Sequence, residues 1–299
     1  MQKPWHYPES TPVVQHGGLC KHIWNGIMSP SIYLTATEAS NKRTEYFDLL
    51  DQNLNEQTYQ KYLEDNPEFI PREFIQNHGL HLSTVFRKFP LSSEYIPDFL
   101  YVSKSSDDWN VVFIEIEKPS SKYFLNNTTN FHNDFTKAIE QMNDWRAWIS
   151  IPANLESLKQ NSLIHFLVPS VMQRNPLNIK YLLVHGRRKE YEGNEIRKNK
   201  IRSMERDDFK IISFDNLAVN IEKHEKLYIA KKTKTHIDIL SDEYVDDGIF
   251  VWMSPTSYRI NQNLFNDTIN KKNHSNSYTN QNGEIIKPID YYLPQVTIY

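Results

Sequence analysis

Residues Asn110–Glu117 read NVVFIEIE, and no other feature constrains the fold as strongly. The octapeptide is apolar at its start and alternates at its end, the pattern of a strand that enters a core on both faces. Its two glutamates, Glu115 and Glu117, share one face by the period-two geometry of a strand. Carboxylates on a mostly buried strand repel each other and lose hydration, so they require a cation or hydrogen-bond donors. The preceding run Ile96–Val102 (IPDFLYV) carries Asp98, and the Asp107-Asp108 pair between the two runs predicts a hairpin turn. Pairing of these strands brings Asp98 toward Glu115 and Glu117. Three convergent carboxylates form an oxygen donor set of the kind Mg2+ or Mn2+ takes.

Around this hairpin the pattern alternates irregularly. Residues 46–70 read as helical, with Leu49, Leu50, Leu54, Tyr59, Tyr62 and Leu63 at helical spacing and Pro67 as the stop. Thr84–Phe89 reads as a first strand ahead of the hairpin. Residues 131–149 form the clearest helix, striped by Phe135, Ala138, Ile139, Met142 and Ile149. Ser162–Val168, Ile179–His185 and Phe209–Phe214 read as further strands, with a charged stretch, Gly186–Arg206, between the last two. Helix, three strands, helix, then more strands predicts an α/β (α+β) core on a mixed sheet flanked by helices. The expected domain runs over residues 46–225. Residues 1–45, broken by prolines and the Gly17-Gly18 pair, read as an irregular N-terminal arm, and 226–299 as a C-terminal extension with a low-complexity piece at 262–285.

Composition removes several classes of function. The 299 residues include only 8 glycines, none spaced as G-x-G and none followed by Lys-Ser or Lys-Thr. The dinucleotide fingerprint and the Walker A loop are therefore absent. Cys20 stands alone, which rules out an intrachain disulfide and a cysteine-based zinc site. No apolar run approaches a membrane span, and the polar start of the chain lacks the apolar core of a signal peptide, so a cytoplasmic protein away from membranes is expected. The formal net charge is −3, so any nucleic-acid-binding surface must be local. The local candidate is the cluster Arg187, Arg188, Lys189, Arg197, Lys198, Lys200 and Arg202, with Arg187 and Arg188 the leading residues for phosphate contact.

Six short motifs recur in one order over roughly residues 55–220: Tyr62–Pro67 (YLEDNP), Ile96–Leu100 (IPDFL), Phe113–Pro119 (FIEIEKP), Lys137–Ile149 (KAIEQMNDWRAWI), Leu183–Arg188 (LVHGRR) and Phe214–Leu217 (FDNL). Asp on one strand and an acidic motif on the next resemble the PD-(D/E)xK nucleases. The full set resembles the Shedu family of anti-phage defence nucleases. The resemblance implies a restriction-endonuclease-like fold and a metal-dependent DNA endonuclease acting on phage or plasmid DNA, with Mg2+ or Mn2+ held by Asp98, Glu115 and Glu117. It further implies a ligand- or water-orienting role for Gln141 and assembly as a homo-oligomer. One position departs from the pattern. Glu117 stands where the motif has lysine, and Lys118, one residue on, points to the opposite strand face. Glu117 then serves as a metal ligand or general base and Lys118 as a phosphate contact. The alternative is an inactive nuclease fold that binds or senses nucleic acid.

Other residues read as structural. Glu56 and Glu64 fit a solvated helix face, with the alternative, implied by the superfamily resemblance, of an acid beside the metal; Trp145 and Trp148 fit packing, and His78 with His81 fits a loop pair rather than a zinc site.

Overall fold

Two apolar layers, one on each face of a single sheet, organise the chain. The structure is a computed structural model that describes residues 33–161, 167–168, 172–246, 248–271, 278–279, 285–286 and 293–299. The strands are β1 (Leu80–Arg87), β2 (Phe99–Lys104), β3 (Trp109–Ile116), β4 (Leu177–Val184), β5 (Phe209–Ile212), β6 (Tyr228–Lys232), β7 (Ile237–Ile239), β8 (Tyr258–Ile260), β9 (Tyr278–Thr279), β10 (Ile285–Ile286) and β11 (Thr297–Ile298). Among the described residues nine of them form one sheet in the order β11-β8-β7-β6-β1-β2-β3-β4-β5, while β9 and β10 pair separately. β2 runs antiparallel to β1 and β3; β3, β4 and β5 run parallel. The sheet is therefore mixed, as the element order predicts.

β3 sits inside the sheet and is buried along nearly its whole length. Val111 and Phe113 face the layer that holds α3 (Asn133–Ser150), through Phe135, Ala138, Met142 and Trp145. Val112, Ile114 and Ile116 face the opposite layer, with Tyr46 and Leu50 of α1 (Ala36–Leu50) and Tyr59 and Leu63 of α2 (Glu56–Asp65). Burial on both faces explains why the strand reads as an apolar run.

The structure differs from the sequence expectations in four places. α1 begins at Ala36, inside the stretch expected to be irregular up to residue 45. A capping box starts it: Glu38 N–H donates to Thr35 Oγ1 at 3.3 Å, and Thr35 N–H donates to Glu38 Oε2 at 2.8 Å. An unanticipated helix, α4 (Pro152–Asn161), follows α3. Most of the strand expected at Ser162–Val168 lies outside the described residues; Leu167 and Val168 are buried but in no strand. The region expected as a C-terminal extension lengthens the same sheet through β6, β7, β8 and β11, and Gln262–Lys271 of its low-complexity piece is helical.

The packing of α3 yields a stability prediction. Trp145 is 1% exposed, and removing its indole leaves a large cavity against the sheet. Trp145→Ala should lower stability by about 3–5 kcal/mol, read as a shift of the urea midpoint in equilibrium unfolding. A change below about 1 kcal/mol would contradict this packing.

Candidate active site

The β2–β3 hairpin places the acids. Phe99 pairs with Ile114, so Asp98, one residue before β2, meets the end of β3. Its Oδ2 accepts the Ile116 N–H at 2.8 Å, and its Oδ1 accepts the Lys88 ammonium. Glu115 shares the strand face of Phe113 and points toward α3, where Gln141 Nε2 donates to its Oε1 at 2.5 Å. The Asp98 carboxyl is near enough to Glu115 for its charge to act on the glutamate. The second Glu115 oxygen, Oε2, is buried and has no hydrogen-bond partner.

Glu117 lies just past β3. Its N–H donates to Val184 O at 2.9 Å, and its Oε2 accepts the Ser121 hydroxyl at 3.4 Å. Ser121 belongs to a tight turn in which its N–H donates to Lys118 O at 3.0 Å. Gly186 packs against that turn with φ 53°, and a Cβ there would lie 2.6 Å from Ser121 O and 2.9 Å from the Tyr123 ring. Glycine is thus required where β4 passes the Glu117 loop.

Electrostatics set this cluster apart from an ordinary acidic surface. Desolvation raises the Asp98 pKa against the opposing pull of Lys88. Desolvation, then the neighbouring Asp98 charge, raises Glu115 well above the usual carboxylate range. Desolvation, then the Glu56 charge, pushes Glu117 up to about 7. Glu56, the first residue of α2, is itself raised by burial and then by Asp98, with Lys88 and Lys118 acting against the rise. Perturbation of this kind, concentrated in one place, marks functional sites.

The structure thus brings Asp98, Glu115 and Gln141 together, while Glu117 turns to Ser121 and Lys118 is exposed; the expected three-carboxylate metal group does not form, since among the described residues no three acids are grouped to hold a metal. Glu56, read from sequence as a solvated helix residue, belongs electrostatically to the cluster. Glu64 does not: it forms an ion pair with Arg87 at 3.0 Å. Lys88 was not anticipated. The signal for it is the β1–β2 hairpin, in which Arg87 pairs with Phe99 and so sets Lys88 opposite Asp98.

The basic cluster divides. The Arg187 guanidinium is 11% exposed and joins Asp51 at 2.8 Å to Asp215 at 3.0 Å. Arg188 N–H donates to Asp215 at 2.7 Å, and its guanidinium to Asn216 at 3.0 Å. Arg197 and Lys200 each donate at 2.5 Å to carbonyls of Thr128 and Thr129, holding that loop against α5 (Glu195–Arg202). A cavity of about 660 Å³ opens beside Pro119 and Ser120, and Lys122, Arg187 and Lys189 line it. His78 and His81 turn to separate partners, Ser106 and Leu167 O.

A family model described as Shedu protein SduA, C-terminal, matches residues 53–218. The chain belongs to the Shedu family. The match spans α2 through the short helix Phe214–Leu217 and contains Asp98, Glu115, Glu117, Gln141 and the Gly186-Arg187-Arg188 turn. Shedu membership associates the chain with anti-phage defence. No curated protein matches the chain. No helix among the described residues is long and apolar enough to cross a membrane.

The raised Glu117 pKa carries a pH prediction. Folded Glu117 holds its proton up to about pH 7, whereas its ordinary value is 4.5. Between these values the folded state binds more protons than the unfolded state, so stability falls as pH rises. The contribution is fully present below pH 4.5 and is lost as pH passes about 7. Metal-free Glu117→Gln should therefore show a flatter loss of melting temperature across this window than wild type. Parallel melting curves for the two proteins would refute the burial of this carboxylate.

Proposed function

We propose that the chain is a metal-dependent DNA endonuclease serving anti-phage defence, with Asp98 and Glu115 as its metal ligands. The observation that carries the reading is the desolvated Asp98–Glu115 pair with its unpartnered buried oxygen. Among the described residues no three His, Cys, Asp or Glu side chains already form a metal cage. The donor chemistry nevertheless fits a hard divalent cation. Two neighbouring acids, both raised in pKa by burial, have the single Lys88 ammonium between them as counter-charge, and Glu115 Oε2 has no hydrogen-bond partner. A divalent cation bound there supplies Lewis-acid stabilisation of phosphate and a more acidic water.

The chain's own residues supply the rest. Gln141 fixes Glu115 Oε1 and so holds the carboxyl in one orientation. The Ile116 N–H fixes Asp98 Oδ2. Glu117, poised at about 7, accepts a proton from an attacking water near neutral pH, where a general base works best. Lys118 is exposed next to it and is placed to meet a phosphate. The cavity beside the site, where Lys122, Lys189 and Arg197 stand against Asp51 and Glu190, offers the continuing DNA backbone cations to meet. Arg187 and Arg188 would support that surface through Asp215 as much as touch DNA.

The test is cleavage of supercoiled plasmid and linear DNA with Mg2+ or Mn2+. Wild type should cut, and Glu115→Ala should lose about a thousandfold or more in rate, as expected when a metal ligand is removed. Equal cleavage by both proteins would overturn the assignment. Salt-dependent DNA binding by wild type without cleavage under either metal would establish the inactive, nucleic-acid-sensing alternative.

A further inference from the structure

A cation already stands on the proposed metal ligands, and it comes from outside the acidic motif. Lys88 follows β1 in the left-handed region, with φ 43°. Its N–H donates to Asp98 O at 2.7 Å, and its ammonium donates to Asp98 Oδ1. Backbone and side chain of Lys88 thus grip backbone and side chain of Asp98. The left-handed turn is uncommon for a non-glycine residue, and here it aims the side chain back across the hairpin. Glu115 and Glu56 also act on the ammonium. The Lys88 side chain is 39% exposed while that of Asp98 is 1% exposed, so the lysine covers the acid from the solvent side.

We propose that Lys88 is a displaceable counter-ion: its ammonium occupies on Asp98 Oδ1 the place a divalent cation takes in the loaded site, and once displaced it turns to a phosphate oxygen of the DNA backbone. The inference rests on the nuclease reading of Asp98 and Glu115. Asp98 Oδ2 is committed to the Ile116 N–H, so Oδ1 is the oxygen a metal must reach. An ammonium and a divalent cation repel each other and do not share one carboxylate oxygen. Deletion of the ammonium would leave Asp98 and Glu115 without their nearest positive charge. A flexible four-carbon stem allows a lysine, unlike a fixed arginine fork, to leave one acceptor for another a few ångströms away. Lys88 thereby provides, just after β1, the phosphate-facing cation that β3, with Glu117 in its motif, does not carry.

Two experiments on the full chain test this. In calorimetric titrations with Mn2+, Lys88→Met should bind the metal roughly tenfold more tightly than wild type, because a competing cation has been removed. The same variant should cleave DNA more slowly, because the phosphate contact is lost. In wild type, acetylation of Lys88 by an amine-reactive reagent, followed by mass spectrometry, should rise several-fold when Mg2+ is added, and this readout requires no variant to fold. Mn2+ affinity unchanged or weakened in a Lys88→Met protein with a cooperative melt would overturn the exchange. So would Lys88 labelling indifferent to Mg2+, or the lack of Mn2+ binding by either protein. Full cleavage by Lys88→Met would overturn the phosphate contact. Tighter Mn2+ binding by Lys88→Met in a chain that cuts no DNA would uphold the exchange and sink the nuclease reading alone.

Discussion

Burying Asp98 against Glu115 is the most demanding act in this fold. Each carboxylate loses water, and each raises the free energy of the other's charge. The structure meets the demand with three donors from three elements: the Ile116 N–H of β3, the Gln141 amide of α3 and the Lys88 ammonium after β1. One oxygen, Glu115 Oε2, is left unanswered. An unpaired buried acceptor is costly, and the divalent cation proposed above would answer it.

The remaining architecture keeps those donors in register. β3 cannot shift by one residue without turning Glu115 out of its layer and Ile116 into it, and burial on both faces resists that exchange. α3 is held to the same layer by an unbroken apolar stripe, so Gln141 arrives at Glu115 with little freedom. At the end of β4, Gly186 lets the chain pass within contact of Ser121, whose hydroxyl reaches Glu117. Arg187 then fastens that turn to Asp51 at the end of α1 and to Asp215. The turn therefore orders the Glu117 loop whether or not its arginines also meet DNA.

Long, strongly patterned segments were legible in the sequence. NVVFIEIE became β3, the 131–149 stripe became α3, and the hairpin of β2 and β3 set Asp98 against the end of β3, but the third acid expected there, Glu117, bonds Ser121 instead. What escaped was of two kinds. β7, β8 and β11 have two or three residues each, too few to show a period, so the strands that lengthen the sheet looked like tail. α1 did carry a signal, the Thr35-x-x-Glu38 capping box, but prolines upstream obscured it. Glu56 and Lys88 escaped for a different reason. Their sequence neighbours are ordinary surface residues, and only the folding of α2 and of the β1–β2 hairpin sets their charges beside Asp98.

That last distinction bears on Glu117. A motif describes the residues of one strand, whereas the charge that must be balanced belongs to a volume. Judged along β3 alone, glutamate in the lysine position adds a negative charge and removes a positive one, and the site looks damaged. Judged in space, Glu117 sits at the half-buried rim with a pKa of about 7 and so is partly neutral under ordinary conditions. The cation absent from β3 is present on Asp98, delivered by the preceding strand. The two departures compensate: the added acid is desolvated enough to carry a proton, and the relocated lysine is exposed enough to move. Under the proposed nuclease reading, a site built this way would keep the charge inventory that phosphodiester chemistry requires while changing which strand supplies it.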